Sequence, residues 1–505
     1  MGALDITAKG RYDELDSDRG SVTDRAELCA KLTVPYLFME ESATSQDDLD
    51  REYISGYGAK LVNHLVGKFA LSILPPSQPF YRLSATQEAM QEVSGGNPEK
   101  EFQIDKTLAE IEEGILRYIN KSRFRASLYP SLRTAMVTGD SLIEKLEDDT
   151  FRVFNMKNYV IKRDSAGNIL DLIILETLDY DAVPDDIQGS IDEKAKDEPV
   201  DLYTRVYLEE GVYKRYQEIA EEIVAGSEVD LKNLSDKYIS IRGNKVGGED
   251  YGRGFVEEHL GTFISLNKQL KVLNESAIVA SKTVFMVRPT GMAKDKDFVD
   301  AANGEAIIGA EEDIGTVKSG KAYDLQITKE LVQDMKRELA EAFLMGSASI
   351  RDAERVTAHE VQLVASELEA SFGGIYTAIS EDIQLPLVEN AMETLDIDGG
   401  DDIDIIITAG VEALGRNVEL SKINNLIGEL GMLANLVGAE KIASEVNVPA
   451  FLSAMVSNSG VASKDFLLSQ VQSQNKKKKD LTEEAITDGV KTASVEAGKN
   501  VATQQ

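Results

Sequence analysis

Few residues are placed for chemistry. Gly315-Thr-Val-Lys-Ser-Gly320-Lys321-Ala322 has the spacing of a loop that wraps nucleotide phosphates, but Ala322 stands where a Ser or Thr hydroxyl must hold Mg²⁺. The Tyr323–Ile327 run after it predicts a strand, whereas a phosphate loop must open a helix whose N-terminus meets the phosphates. His359-Glu360 begins a zinc-protease pattern that fails at Leu363, where the second imidazole belongs. The sequence contains neither a G-x-S-x-G elbow nor a dinucleotide-type G-x-G-x-x-G. Asp148-Asp149, Glu311-Glu312 and Asp401-Asp402 have the chemistry of a two-metal nuclease, yet among 88 acidic residues such pairs arise by chance. The only cysteine, Cys29, excludes an intrachain disulfide framework and a cysteine-built zinc site, and His64, His259 and His359 lie far apart. The residues predict no enzyme, no cofactor and no metal site.

Charge narrows the class further. The 505-residue chain carries 54 Lys and Arg against 88 Asp and Glu, a net charge of −34. A surface so negative repels phosphate backbones and excludes broad gripping of nucleic acid, though not a nucleic acid passing close by. The 42% hydrophobic fraction supports real cores, on the order of three domains for this length. The polar N-terminus and the absence of an apolar run of about 18 residues predict a soluble protein made in a reducing cytoplasm, with no address signal and no membrane.

The elements that must position any site change texture along the chain. Residues 53–74 place Leu61, Leu65, Phe69 and Ile73 on one helical face, and helices are expected again over 104–120 and 124–138. Period-two segments at 141–147, 151–154, 158–163, 169–176, 201–208 and 212–217 predict strands, with hairpins at Asp164–Asn168 and Glu209–Gly211. The acidic stretch 181–198 between the hairpins is expected to be a loop or short helix. From Gly254, residues Phe263, Leu266, Leu270, Leu273, Ala277, Ala280 and Val284 recur at alternating spacings of three and four. That is the seam of a helix lying lengthwise on another helix, or the stripe of an ordinary buried helix. Small strands and turns are expected over 287–327 and a second helix over 329–345. Thr357-x-x-Glu360 has the form of a capping box opening a long helix towards Pro386, with a kink at Gly373-Gly374 and no Lys or Arg through residue 395. A turn and a strand over 396–409, a Gly-punctuated helical region to 470 and a tail bearing Lys476–Lys479 complete the pattern.

Several segments resemble, in order, the portal (head-to-tail connector) proteins of short-tailed bacteriophages of the autographivirus type. They are Thr23–Pro35, Tyr57–Pro75, Tyr159–Leu170, Tyr251–Gly261 and Glu354–Val388, the last containing Val364–Glu369 and Gly373–Tyr376. The likeness covers about residues 10–435 and fails only on the tail. It implies an α+β, predominantly helical ring subunit with an α+β wing, a two-helix stem, a small mixed clip and a helical crown. The implied parts are a wing over 1–254, stem helices over 255–286 and 328–345, a clip over 287–327 and a tunnel loop over 346–356. A long wing helix over 357–395, a crown over 396–470 and a flexible tail over 471–505 complete the assignment.

The same resemblance implies a homo-oligomeric ring, a dodecamer in the virion, at one capsid vertex. Double-stranded DNA would pass through its channel without specific binding during packaging, retention and ejection. Major capsid protein, scaffold, terminase and tail adaptor would be its partners, with assembly in the host cytoplasm. It assigns Ser347, Ser349, Arg351, Asp352, Glu354 and Arg355 to the tunnel loop. Arg351 and Arg355 would there touch the DNA backbone weakly or pair with Asp352 and Glu354. It makes Phe263, Leu266, Leu270, Leu273 and Ala277 the seam between stem helices of neighbouring copies. The alternatives are another virion component, a scaffold or internal core protein, and a carboxylate-metal nuclease. The hairpins argue against a scaffold of long helices.

Overall fold

The computed structural model describes residues 7–38, 55–75, 80–184, 187, 199–281, 284–290, 296, 300, 302, 308, 310, 314–317, 322–346, 358–397 and 402–407. The chain opens with α1 (Ala8–Asp18), capped by the Thr7 hydroxyl, which accepts from the Gly10 N–H, and with α2 (Gly20–Thr33). Between them the buried Arg19 guanidinium donates to the carbonyls of Met156, Tyr159 and Lys157, pinning the N-terminal helices to the strand region. In α3 (Tyr57–Ile73) the expected face of Leu61, Leu65, Phe69 and Ile73 is fully enclosed. Next come β1 (Tyr81–Ala85), α4 (Gln87–Ser94), α5 (Pro98–Lys121) and α6 (Phe124–Thr138).

Then strands dominate: β2 (Asp140–Lys145), β3 (Phe151–Phe154), β4 (Tyr159–Arg163), β5 (Ile169–Leu178), β6 (Val200–Glu209), β7 (Val212–Ile219), β8 (Glu222–Ile223), β9 (Val229–Leu231) and β10 (Tyr238–Arg242). β10, β2 and β3 form one antiparallel sheet in that order. β4 to β8 form a second in sequence order, with β9 also paired to β7. Both expected hairpins are present. Asp164 caps the first, accepting from the N–H groups of Ala166 and Asn168, with Gly167 at φ 96°. The second turns on Glu210 and Gly211 at φ 50° and 86°, the two positive φ values that match the strand twist.

The remainder comprises α7 (Phe255–Glu258), α8 (Leu260–Ser281), β11 (Val284–Val287), β12 (Ile314–Val317), α9 (Ala322–Ala342), α10 (Ala358–Phe372), α11 (Gly374–Thr394) and β13 (Ile403–Ile407). α8 and α9 lie antiparallel: Thr262, near the start of α8, reaches Glu338, near the end of α9. The main core gathers residues from α2, α3, α5, α6, both first strands, α10 and α11.

Four boundaries differ from expectation. The helix expected over 255–286 breaks at His259 and ends at Ser281, because the β-branched run Thr283-Val284 and Val287 favours the extended backbone that pairs β11 with β12. Val284 of the predicted stripe is therefore in a strand. The second helix starts at Ala322 rather than 328, so the Tyr323–Ile327 run is helical, not a strand. Short apolar runs fit both periods, and here the helical one is adopted. Gly373, at φ 52° and ψ −128°, splits the long helix into α10 and α11 rather than kinking it. α11 continues through Pro386 to Thr394, since Ile383, Leu387, Val388 and Ala391 are buried around the proline and outweigh its cost of about 3 kcal/mol. β13, the strand expected near 396–409, pairs with β1 in the N-terminal body. Residues 408–505, including the tail and most of the expected crown, lie outside the described residues, as does the acidic stretch 188–198.

Candidate functional site

Among the described residues, the catalytic candidates are not brought together. Among the described residues no group of three or more His, Cys, Asp and Glu could hold a metal ion. Asp148 instead accepts from Thr150 in the β2–β3 turn, which lowers its pKa, and Asp149 occupies that turn at φ 61°. Glu311, Glu312 and Asp401 lie outside the described residues. In the phosphate-loop candidate Gly315–Val317 belong to β12, residues 318–321 are not described, and Ala322 opens α9. A helix therefore does follow this loop, and the mismatch that remains is the missing hydroxyl at Ala322. Cys29 is enclosed and burial pushes its thiol up to about 12, so it is unreactive. No helix among the described residues is long and apolar enough to cross a membrane.

What the structure does build is a joint between the sheet body and the helical pair. Gly139 ends α6 at φ 98°, and a Cβ there would lie 2.2 Å from the Gly252 carbonyl oxygen. A Cβ on Gly252 would lie 2.4 Å from the Gly139 carbonyl oxygen, and one on Gly254 2.5 Å from that of Val137. Two backbone segments, 137–139 and 252–254, therefore touch at distances only glycine permits. Asp140, wholly buried beside them, accepts from the Tyr159 hydroxyl at 2.8 Å and the Gly252 N–H at 3.4 Å. Burial pushes its carboxyl up to about 6 against the opposing pull of Arg163 and those hydrogen bonds. Tyr251 accepts from the Ile161 N–H, and Arg253 pairs with Glu249 and Glu257. The run Tyr251–Gly254 thus locks α7 and α8 to both sheets.

Beyond the joint, aromatic rings continue the lock. Phe255 stacks edge-on with Phe343 and Phe372 at 4.9 and 4.7 Å, and Phe263 meets Phe343 at 5.7 Å. This is where the predicted stripe begins: Phe263 and Leu266 are each 1% exposed, enclosed within the subunit by α9 and its neighbours. Leu270 and Leu273 are half-buried against the same core, and Ala277 is exposed. The stripe therefore holds α8 to α9 of the same chain at its start and opens towards its end. The exposed apolar residues of this pair are Val272, Ile278 and Val279 on α8 and Ile327 and Leu331 on α9.

The predicted loop residues Ser347, Ser349, Arg351, Asp352, Glu354 and Arg355 lie outside the described residues, but their anchor points do not. Leu344, two residues past the end of α9, is held at φ 54°, and its carbonyl accepts from His64 Nε2 and Lys68 Nζ, both at 3.1 Å. Lys68, fully enclosed, also meets Glu367 of α10 at 2.7 Å. One helix, α3, thus ties together the element before residues 347–357 and the element after them. Burial lowers the His64 pKa and so favours the neutral ring, which donates through Nε2 to Leu344, while that hydrogen bond pulls the other way. Sequence reasoning passed over this cluster, although the signal was present: Lys68 sits three residues after Leu65, on the apolar face of α3.

A family model described as bacteriophage head to tail connecting protein matches residues 6–467. The portal protein of Enterobacteria phage T3 is 30% identical over 98% of this chain and 93% of its own length. That of Escherichia phage T7 is also 30% identical, over 94% and 90%. Among solved structures, the neck of an empty gene transfer agent particle aligns with 73% of this chain and 86% of its own, at 11% identity and a TM-score of 0.38.

Proposed function

The chain belongs to the family of bacteriophage head to tail connecting proteins, and we propose that it is the portal of a short-tailed phage. Many copies close into a ring at one vertex of the virion, and double-stranded DNA passes through the bore on packaging and ejection. The observation that carries this reading is the likeness to portal proteins along nearly the whole chain. The geometry fits it: a globular α+β body with a helical pair, α8 and α9, rigidly joined at its base and exposing apolar side chains further along. A ring built by rotation joins two different faces of each subunit, so exposed apolar side chains on more than one side of this helical pair have a natural use.

In this reading residues up to 254 and α10–α11 form the wing, α8 and α9 the stem, and the segment around β11 and β12 the clip. Residues 346–356 are the tunnel loop and those after β13 the crown. The assembly seam takes Leu270, Leu273 and Ala277 together with Val272, Ile278, Val279, Ile327 and Leu331, while Phe263 and Leu266 support it from inside. An overall charge of −34 suits a conduit, because each phosphate held by a cation is a contact that moving DNA must break. Terminase, tail adaptor, scaffold and major capsid protein are its partners, with assembly in the host cytoplasm. The function needs no active site and no cofactor.

Negative-stain microscopy of the purified protein tests the reading: rings with a central hole are expected, and monomers or dimers under every condition would refute it. Deleting 347–353 is expected to leave rings intact and to lower packaged DNA; unchanged DNA content would refute the tunnel-loop assignment.

A further inference from the structure

An apolar hollow of about 360 Å³ lies between α4, α5 and the meeting point of β1 and β13. Ala89, Val93, Ile104, Leu108, Ile111 and Ile403 line it. Val93 is 59% exposed, and Ile104 and Ile111 are only half covered although they continue the buried stripe of Leu108 and Ile115 along α5. Its polar neighbours Gln103, Thr107 and Asp402 face solvent and converge on no common point inside it. A small-molecule site needs a few such groups aimed inward, so the hollow is shaped for apolar side chains.

The described chain ends close by. β13 enters the two-stranded sheet at Ile403, beside the hollow and opposite Ala85, and leaves it at Ile407, opposite Tyr81. Residues 408–505 follow. Within them Ile423, Leu426, Leu430, Leu433 and Val437 recur at spacings of three and four, a helical stripe that requires an apolar bed. The lengths agree. From Ile407 back to Ile403 is four strand steps, about 14 Å, and a helix starting near Glu412 and running back along β13 brings Ile423 about 16 Å along its axis. Ile423 and Leu426 then stand over the hollow, with residues 408–411 left to make the turn. We propose that the hollow is the seat of this chain's own segment 412–437, docked through Ile423 and Leu426. The docking carries the first crown helix onto α4 and α5 and makes this corner of the wing the crown's foundation.

Disulfide trapping in the full chain tests this. Val93→Cys is combined in turn with Ile423→Cys, Leu426→Cys or Leu430→Cys, while Cys29 stays buried and inert. Mild oxidation is expected to give a faster-migrating monomer on a non-reducing gel for Ile423→Cys or Leu426→Cys, and none for Val93→Cys alone. Covalent dimers and ladders in its place would mean that a second copy supplies the segment, and would overturn the proposal. So would the absence of any cross-link. Because assembly perturbs this readout, hydrogen exchange is measured as well: Leu426→Asp is expected to speed the amides of residues 104–111 by about five-fold or more, and unchanged rates would overturn the docking. Rings without the cross-link would sink the docking alone, and the cross-link without rings would sink the portal reading alone.

Discussion

A carboxylate on the exposed face of the stem is expected to stop assembly without harming the subunit. Val272 and Val279 are 48% and 61% exposed, and Ile278, Ile327 and Leu331 are similarly uncovered. Fully burying one such side chain contributes about 1.5–3 kcal/mol, so covering the exposed half of each adds about 1 kcal/mol. Five of them give about 5 kcal/mol of gross stabilisation at one subunit–subunit joint, before the entropy of association is subtracted. Val279→Asp removes about 1 kcal/mol of this and adds the cost of burying an ionised carboxylate, a few kcal/mol, beside a chain already at −34. The sum, about 3–5 kcal/mol, weakens each joint by roughly 10²–10³-fold, and a closed ring repeats the loss at every joint. Sedimentation velocity and negative stain at matched concentration read the outcome. Val272→Asp and Val279→Asp are expected to remain monomeric with an unchanged melting temperature. Val212→Asp at the β6–β7 turn, 38% exposed, is expected to assemble normally. Rings of normal size and abundance from both stem variants would refute the assignment of this face.

Three other expectations concern the subunit itself. Gly252→Ala places a methyl 2.4 Å from a backbone oxygen and is expected to cost more than about 4 kcal/mol, read as loss of soluble protein, whereas Gly114→Ala, with open space around it in α5, is expected to stabilise by about 0.5–1 kcal/mol. Lys68→Met removes the ammonium shared by Leu344 and Glu367 and is expected to cost about 2–4 kcal/mol, less than a wholly buried pair because Glu367 is 27% exposed. Adding Glu367→Gln is expected to recover part of that loss in chemical denaturation, and no recovery would show that the pair is not coupled. Asp140 has its folded carboxyl raised to about 6, so it favours the folded state at low pH. That contribution is complete below about pH 4, where the unfolded chain also holds the proton, and disappears as pH rises through about 6. Asp140→Asn is expected to gain on the native protein by at most about 3 kcal/mol between pH 4 and 7, and parallel stability curves would refute the shift.

Sequence reasoning reached the parts of this fold whose causes are local. The α3 face, both hairpins and the strands from β2 to β7 were legible because side-chain period and turn residues act within a few positions. The pairing of β1 with β13 was not, since its partners stand some 320 residues apart and side-chain period names no partner. β10 was missed for the same reason: its register against β2 is fixed by the surrounding core. The start of α9 was misread because the Tyr323–Ile327 run suits either period. The resemblance supplied an architecture that periodicity could not, and with it a role for the stripe from Phe263.

That stripe shows how a single pattern is divided between two tasks. A seam of three and four spacing says that a helix lies along something, without saying whether the partner belongs to the same chain. Here Phe263 and Leu266 meet Phe343 and the α9 side of the same subunit, and coverage falls steadily through Leu270 and Leu273 to Ala277. Near its start α8 is bound to its own chain, where the glycine joint and the aromatic cluster hold it. Further along, Val272, Ile278 and Val279 are exposed, and in the proposed ring a neighbouring copy is expected to cover them. In the proposed portal reading, subunits that keep their shape while neighbouring helical pairs pack side by side would use this gradient, with fixed geometry near the start of α8 and exposed apolar surface further along.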